Sequence, residues 1–264
     1  MERFLSVLRK IRDAVRMLAR GHWGRLIRAA RLRLHSDYTC LGLRRDARIP
    51  FPAPRAKIPI TVRPLEPGDD LSILRIDESG LSGAVAYTRL GVSRLLQSGI
   101  STCFVAIGPD GKPCHLQWLI TATENAKLRA EFGDLFPALE ADQAMIEGAY
   151  TPEAFQRLGV MAEATARVAA RAPDFGARWV IGFTVERNHA SLKAGMRAGF
   201  RPYLRRVESW RLFRRRIRFT PLPEGTPFPF EPQWGGAAAE SAPARSAANP
   251  ASSAWPRSET SQQE

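Results

Sequence analysis

Hydrophobic residues recur along this chain with two periods, one typical of helices and one typical of strands. From Phe4 to Leu18, a set of five apolar residues is spaced at steps of three or four, which predicts one apolar stripe on an α-helix. Arginine and lysine residues fall largely off that stripe. After Gly21 and Gly24 the same spacing resumes, so we expect a second short helix over residues 26–34.

Prolines and alternating residues divide the rest of the chain. Four prolines between residues 49 and 59 predict an extended linker, because proline disfavours helix at its own position and at the one before. A compact domain then begins at the alternating run 60–64. The first half of the domain is predicted to contain helices over 70–98, strands over 102–107 and 114–121 joined by a Gly-Pro-Asp-Gly turn, and a short helix or inserted loop over 124–136. The second half is predicted to contain a strand over 142–149, a helix from Pro152 or Glu153 to Ala172, a buried strand over 178–185 and a helix from Asn188 to about Ala198. The last element is one long strand or two paired strands over 200–219, whose inward-facing residues are Tyr203, Val207, Trp210, Leu212 and Phe213.

This order of elements, β-α-α-β-β-β-α-β-α-β(β), predicts an α/β fold with a mixed central sheet and at least one β-α-β crossover. We therefore divide the chain into a basic amphipathic helical extension (1–48), a proline-rich linker (49–59), a main domain (60–220) and a tail rich in proline, alanine and serine (221–264). The tail has no apolar period, which predicts disorder over most of it.

Charge changes the picture only in two segments. The 264 residues carry a formal net charge of +13. Residues 1–35 hold ten basic and two acidic residues, a net +8, and residues 201–220 hold eight arginines and one glutamate, a net +7. The centre of the chain is close to neutral, so the basicity belongs to an N-terminal appendage and one late segment.

Each basic segment has more than one interpretation. An apolar stripe flanked by arginines suits an anionic membrane surface, but it also suits docking on the protein's own core or on a partner, or binding to nucleic acid. We keep these alternatives open for residues 1–35. Aromatic residues interleaved with arginines over 201–218 are typical of nucleic-acid binding. A terminal strand pair whose outer face carries arginines explains them as well, and we favour that interpretation over nucleic acid.

Composition bears on the compartment. No stretch reaches the roughly 18 apolar residues of a membrane span, and arginines interrupt every candidate signal core. Cys40, Cys103 and Cys114 are too few for a disulfide framework. No cluster of His, Cys and Asp indicates a metal, so His115 and His189 are expected to be exposed or packed. The prediction is a cytoplasmic protein, associated with the inner face of a membrane if the N-terminal helix binds lipid.

Two motifs lie where helices are predicted to begin. The first is Gln156-Arg157-Leu158-Gly159-Val160-Met161. Unpaired N–H groups and the positive end of the helix dipole at such a position favour a phosphate, and Gly159 lets the backbone approach a ligand closely. In the second motif Asn188 and Ser191 share one face of a helix that Gly199-Phe200 ends.

With these motifs in this order the chain resembles the GCN5-related N-acetyltransferase (GNAT) superfamily, over about residues 60–213. The acyl-coenzyme A signature of that family is Gln or Arg, two residues, Gly, one residue, then Gly or Ala. It matches here except at Met161, a long side chain where the family has a small residue. The later family motif, Asn-x-x-Ser followed by Gly-Phe, is matched by Asn188, Ser191, Gly199 and Phe200.

The resemblance implies a binding site for acetyl-CoA or another acyl-CoA. Gln156 and the backbone amides of Arg157, Leu158, Gly159, Val160 and Met161 would hold the pyrophosphate. The strand end at Ala149 and Tyr150 would pair with the pantetheine and offer an N–H group to the thioester oxygen. Asn188 and Ser191 would contact the cofactor from the second helix.

The resemblance also implies direct transfer of the acyl group to a primary amine in a ternary complex. Glu147 is the candidate general base, because it lies two or three residues before the expected end of strand pairing. Many family members carry a general-acid tyrosine where this chain has Gly195, so Tyr203 is the alternative acid. The acceptor, a small molecule or a protein amine, is not selected by any residue.

An alternative from another class is a non-catalytic, acetyltransferase-like binding module that acts as a basic adaptor on an anionic membrane or nucleic acid. The missing tyrosine and Met161 support this alternative. Neither interpretation fixes an oligomeric state.

Overall fold

The computed structural model describes residues 23–76 and 81–231. Within this part of the chain, eight strands form one sheet in the order β2-β3-β4-β5-β6-β1-β7-β8. The strands are β1 (His35–Asp46), β2 (Thr61–Pro64), β3 (Cys103–Ile107), β4 (Pro113–Thr121), β5 (Gln143–Tyr150), β6 (Trp179–Val185), β7 (Arg201–Arg211) and β8 (Arg214–Pro221). The helices are α1 (Trp23–Leu34), α2 (Gly83–Gln97), α3 (Asn125–Phe132), α4 (Val160–Ala169) and α5 (His189–Arg197).

Strand direction makes the sheet mixed. β5 and β6 are parallel, and the other neighbouring pairs are antiparallel. Helix α4 connects β5 to β6 as the crossover of a β-α-β unit. The prediction of an α/β fold with a mixed central sheet is confirmed.

Helices cover both faces of the sheet. On one face, α4 and α5 pack on a core that includes Leu41, Val180 and Leu192. On the other face, α2 and α3 cover a core that includes Trp118 and Met145. Strands β3 to β5 are therefore buried on both sides, which explains their continuous apolar runs.

Strand β1 corrects the predicted domain boundary. Residues 35–46 do not belong to a helical extension, because they lie in the sheet between β6 and β7. Leu41 and Leu43 point to one core, and Cys40 is buried on the opposite face. Gly42 lies where Leu204 and Phe183 come close, so that a Cβ there would be 2.9 Å from the Leu204 Cβ. Gly42, although glycine is unfavourable in strands, is therefore needed for the close packing of β1 against Leu204 and Phe183.

The structure also shortens the long helix predicted from 152 or 153 to 172. Glu153–Phe155 forms a 3₁₀ turn, and the α-helix begins only at Val160. Arg157 (φ 62°) and Gly159 (φ 82°) have left-handed backbone conformations, so the α-helix cannot extend through them towards the N-terminus. Helical periodicity across residues 155–169 does not reveal this break.

Further differences concern the C-terminal end of the domain. The two paired strands expected over 200–219 are present as β7 and β8, but Leu212 and Phe213 form the exposed turn between them instead of facing inward. The domain continues past its predicted boundary at residue 220, because Phe228 is buried in the core beside α5. The predicted helix over 4–18 and the tail from 232 lie outside the described residues.

Candidate active site

The parallel strands β5 and β6 separate before they end. They pair from Gln143 with Trp179 to Ile146 with Gly182. Beyond that level β5 stays with β4, and β6 stays with β1. We call the opening between residues 147–150 and residues 183–185 the strand gap. Backbone groups that line a gap of this kind are available to an extended ligand.

Gly148 produces the bend that opens the gap. Its φ of 68° lies in the left-handed region, and the register with β4 shifts between Leu116 and Trp118. A Cβ at this position would lie 2.5 Å from the Leu95 Cδ2 and 2.7 Å from the Trp118 Cε3. Both the backbone conformation and the packing therefore require glycine.

Glu147 lies at the start of the gap, opposite Trp118 of β4. Burial raises the pKa of its carboxyl group, while the Gly148 N–H group and the charge of Arg206 oppose that rise. A carboxylate with a raised pKa is a better proton acceptor than an exposed glutamate. Glu147 thus has the environment expected of a general base.

Arg206 is the charged residue that sequence reasoning missed. It is buried on β7, where one guanidinium nitrogen donates to the Leu135 carbonyl and the other lies 3.1 Å from the Cys40 Sγ. Its guanidinium also lies 5.1 Å from the centre of the Phe183 ring. The available signal was an arginine at a strand position directly opposite a buried cysteine, but that pairing required β1 to be recognised.

The first turn of α4 carries the predicted pyrophosphate motif. Its first regular helical bond runs from the Glu163 N–H to the Gly159 carbonyl. The preceding N–H groups of the motif therefore have no helical acceptor, and their orientation suits an anion. Met161 is half-buried at this turn.

The linker lies against the same turn. The Ala56 N–H donates to the Glu163 carboxylate at 2.6 Å, and the Lys57 N–H donates to the Leu158 carbonyl at 2.7 Å. A Cβ on Gly159 would be 3.3 Å from the Ala56 Cα. The close approach that Gly159 permits is thus an approach of the protein's own backbone, which narrows the space at the predicted phosphate position.

Two other residues predicted to contact the cofactor, Asn188 and Tyr150, form hydrogen bonds within the protein. The Asn188 side chain accepts the Ser191 N–H at 3.1 Å, so it is the N-cap of α5 as expected. The Tyr150 hydroxyl accepts a hydrogen bond from the Arg89 Nε at 2.9 Å. Ala149 is exposed beside it, and its backbone borders the strand gap.

Tyr203 lies three strands away from Glu147 in the sheet. It lies on β7, and both β6 and β1 stand between β7 and β5, a lateral separation of about 14 Å at roughly 4.8 Å per strand. Burial raises the pKa of its hydroxyl to about 12. A Cβ on Gly195 would be 2.8 Å from the Leu43 Cδ1 of β1, so the tyrosine that the resemblance would place at this position does not fit here.

A buried polar network stands behind the end of β5. His115 lies 2.7 Å from the Thr151 Oγ1 through Nδ1 and 3.0 Å from the Gln117 Oε1 through Nε2. Gln117 in turn donates to the Ala164 carbonyl of α4. Burial lowers the pKa of His115 to about 4, so the ring is neutral at physiological pH. The network connects β4, the end of β5 and α4.

Comparison with known proteins gives the following similarities. No family model matches the chain, and no curated protein matches it. A GCN5-related N-acetyltransferase from Sphaerobacter thermophilus aligns at 16% identity over 73% of this chain and 56% of its own, with a TM-score of 0.47. A GNAT-family acetyltransferase from Colwellia psychrerythraea aligns at 12% identity over 67% of this chain and 57% of its own, with a TM-score of 0.46.

A tandem GNAT protein from the clavulanic acid biosynthesis pathway aligns at 14% identity over 65% of this chain and 53% of its own, with a TM-score of 0.42. This chain therefore spans little more than half the length of these three structures. All three are named as GNAT proteins. At this level of similarity a shared activity does not follow.

Proposed function

We propose that this protein is an acyl-CoA-dependent N-acyltransferase, with acetyl as the acyl group, that acts on a primary amine. The observation that carries the proposal is the strand gap with Glu147 at its start. A gap between parallel strands can receive an extended thioester arm, and Glu147 borders the place where the arm would end.

Glu147 would accept the proton that the amine loses as its nitrogen attacks the thioester carbon. Its raised pKa supports this role, because a base is most effective when its pKa lies near the working pH. The positive charge of Arg206 opposes part of this rise in the pKa of Glu147 and so favours the ionised carboxylate. Tyr203 has no part in this mechanism, and water is left as the proton donor to the leaving thiolate.

The residues present fit an acyl-CoA with one constraint. The backbone of Ala149 and Tyr150 is available to amides of the pantetheine, and an N–H group there would stabilise the developing oxyanion by roughly 2.7–4 kcal/mol. The free N–H groups of residues 157–162 suit the pyrophosphate. Acyl-CoA would supply the activated acyl group as its thioester. The constraint is that residues 55–57 lie against the first turn of α4 and narrow the space there.

That constraint supports a second candidate, a non-catalytic module of the same fold. If residues 55–57 stay on α4, the phosphate position is closed and the chain acts by binding a partner. The two candidates make opposite predictions for cofactor binding, so one experiment separates them.

The test is calorimetric titration of the full chain with acetyl-CoA, followed by a turnover screen across primary amines. We expect saturable binding and release of free coenzyme A with at least one amine. Glu147→Gln should bind acetyl-CoA as the unmodified chain does and lose about 10²–10⁴-fold in turnover. Glu140→Gln, a change at an exposed residue before β5, is the matched control. No binding at millimolar acetyl-CoA would reject the enzyme in favour of the module.

A further inference from the structure

Three strands, β1, β7 and β8, extend past the end of β6 at the end of the sheet where the strand gap opens. The last bond between β6 and β1 in this direction runs from the Glu186 N–H to the Thr39 carbonyl. Residues 35–38 of β1 continue beyond it for about 14 Å, paired with β7, and β7 is paired with β8. We call residues 35–38, 207–211 and 214–218 the cationic arm.

One face of the arm is lined by arginines. Arg214, Arg216 and Arg218 alternate along the edge strand β8, are exposed, and stand about 7 Å apart along one face. Within the described residues the structure gives them no ion-pair partner, whereas Arg211 beside them pairs with Asp37 at 2.8 Å. An open cavity of about 600 Å³ lies over this face, lined by Arg216, Arg218 and their β7 neighbours.

The tip of the arm is apolar. Leu212 and Phe213 form a two-residue turn and are 77% and 57% exposed. Both have positive φ, 48° and 64°, in a turn where Asn-Gly is the favoured pair. Two large apolar residues in this conformation are unfavourable both for the backbone and in water. Neither fold stability nor solubility accounts for them.

Helix α1 extends the apolar tip. The Leu212 N–H donates to the Leu34 carbonyl, and the Phe213 N–H donates to the Arg33 carbonyl, so the C-terminal end of α1 is fixed to the turn. Trp23, Ile27 and Leu34 are exposed and fall on one face of α1 by helical spacing. The C-terminal end of α1 and the apolar turn at Leu212 and Phe213 therefore lie together at the tip of the arm.

We infer that the arm and α1 form a docking surface for a bilayer that contains anionic phospholipid. Leu212 and Phe213 enter the boundary between headgroups and acyl chains, and Arg214, Arg216 and Arg218 bind the phosphates. Charged residues on an edge strand also prevent unwanted strand pairing, but that role does not explain the apolar turn. Nucleic acid would use the arginines and leave Leu212 without a partner. Among the described residues no helix has the length and apolarity to cross a bilayer.

This orientation brings the strand gap to the membrane side of the protein. The docked arm and the gap lie at the same end of the sheet, since both lie beyond the last pairing of β5 with β6. The partner proposed for the cationic arm is thus an anionic lipid surface, and the strand gap faces it. Docking does not depend on whether the protein is an acyltransferase.

The experiment is flotation of the full chain with vesicles of phosphatidylcholine alone or with about 30% phosphatidylglycerol. We expect binding to the anionic vesicles that weakens as salt increases. Replacing Arg214, Arg216 and Arg218 with Gln should lower the partition coefficient about 100-fold, from about 1 kcal/mol per arginine. Replacing Arg48, Arg75 and Arg171 with Gln removes the same charge from exposed positions away from the arm and should change it far less.

A second variant separates docking from folding. Leu212→Asn with Phe213→Gly restores the preferred turn, so the melting temperature should stay the same or rise while vesicle binding falls at least tenfold. No flotation of the unmodified chain, or equal flotation of all variants, would overturn the inference, the latter assigning lipid binding to another segment. Arginine-dependent binding of a single-stranded oligonucleotide without vesicle binding would overturn it in favour of nucleic acid.

Discussion

At the scale of single residues, the candidate site depends on groups that modify one another. Glu147 is half-buried; burial disfavours its charged form and raises the pKa of its carboxyl group, and the charge of Arg206 opposes that rise. Arg206 is itself held by the Leu135 carbonyl and the Cys40 sulfur. The proton affinity of Glu147 is therefore set by residues from β1 and β7 as well as by its own strand.

This coupling predicts how activity responds to pH. Because the base works in its ionised form, kcat/KM should rise with pH through an apparent pKa above the ordinary value for glutamate. Arg206→Met removes a charge that lowers this pKa, so the rise should move to higher pH, with a loss of activity at neutral pH. Arg206→Lys keeps the charge and should restore most of the profile. A rise that moves to lower pH in Arg206→Met would contradict the assignment.

His115 predicts a separate pH dependence, of stability. Its pKa of about 4 in the folded protein is below the usual 6.5, so the unfolded chain binds a proton that the folded chain does not. Stability should therefore fall as pH drops from 6.5 towards 4, by about 2 kcal/mol between roughly pH 7.5 and pH 5 from this residue alone.

Urea unfolding across this pH range measures the effect. In His115→Gln the chain should be less stable at neutral pH, and its stability should depend less on pH. His189→Gln changes an exposed histidine and should leave the slope unaltered. Equal slopes in the unmodified chain and in His115→Gln would show that His115 does not carry the effect.

At the scale of elements, the bend in β5 determines the site. The strand gap exists because Gly148 adopts a positive φ and lets β5 follow β4 away from β6. The same bend brings the backbone against Leu95 of α2 and Trp118 of β4. The bend of β5 and its packing against α2 therefore both depend on Gly148.

Gly148→Ala should cost about 2–4 kcal/mol of folding free energy, from a strained φ and an overlap with Leu95 and Trp118. Gly111→Ala is the matched control, since Gly111 has φ 74° and a Cβ added there would meet no atom within 4 Å. It should cost only about 1 kcal/mol. Chemical denaturation measures both, and equal losses would show that packing at Gly148 is unimportant.

At the scale of the whole molecule, β1 joins two parts of the sheet. Strands β2 to β6 lie on one side of it, and the β7–β8 pair lies on the other. Leu41 and Leu43 fill the core beneath α5, and Cys40 faces the opposite core. Without β1 the β7–β8 pair would have no neighbour in the sheet.

Two truncations should therefore behave differently. Removal of residues 1–34 leaves β1 in place and should give a chain that melts cooperatively. Removal of residues 1–48 takes away a central strand and should abolish cooperative melting, as followed by circular dichroism. A well-folded, active protein lacking residues 1–48 would restore the original interpretation of this segment as a separate extension.

Much of the fold could be predicted from local patterns. The turn at Gly108–Gly111, the strand ending near Tyr150 and the cap at Asn188 all follow from residues close together in sequence. Strand β1 could not be predicted, because its short alternation contains Gly42 and its burial comes from partners more than 130 residues away. The location of Arg206 depended on that missing strand.

The sequence by itself determined the α/β class, the order of the elements from β2 onward and the position of Glu147 at the end of strand pairing, because periodicity and turn chemistry are local properties. Tertiary structure decided which strands are neighbours, the number of strands between Tyr203 and Glu147 and the close approach of residues 55–57 to α4. It also decided that Leu212 and Phe213 are exposed, although their apolar character indicated burial. Burial and long-range pairing depend on the whole chain, and no local pattern contains them.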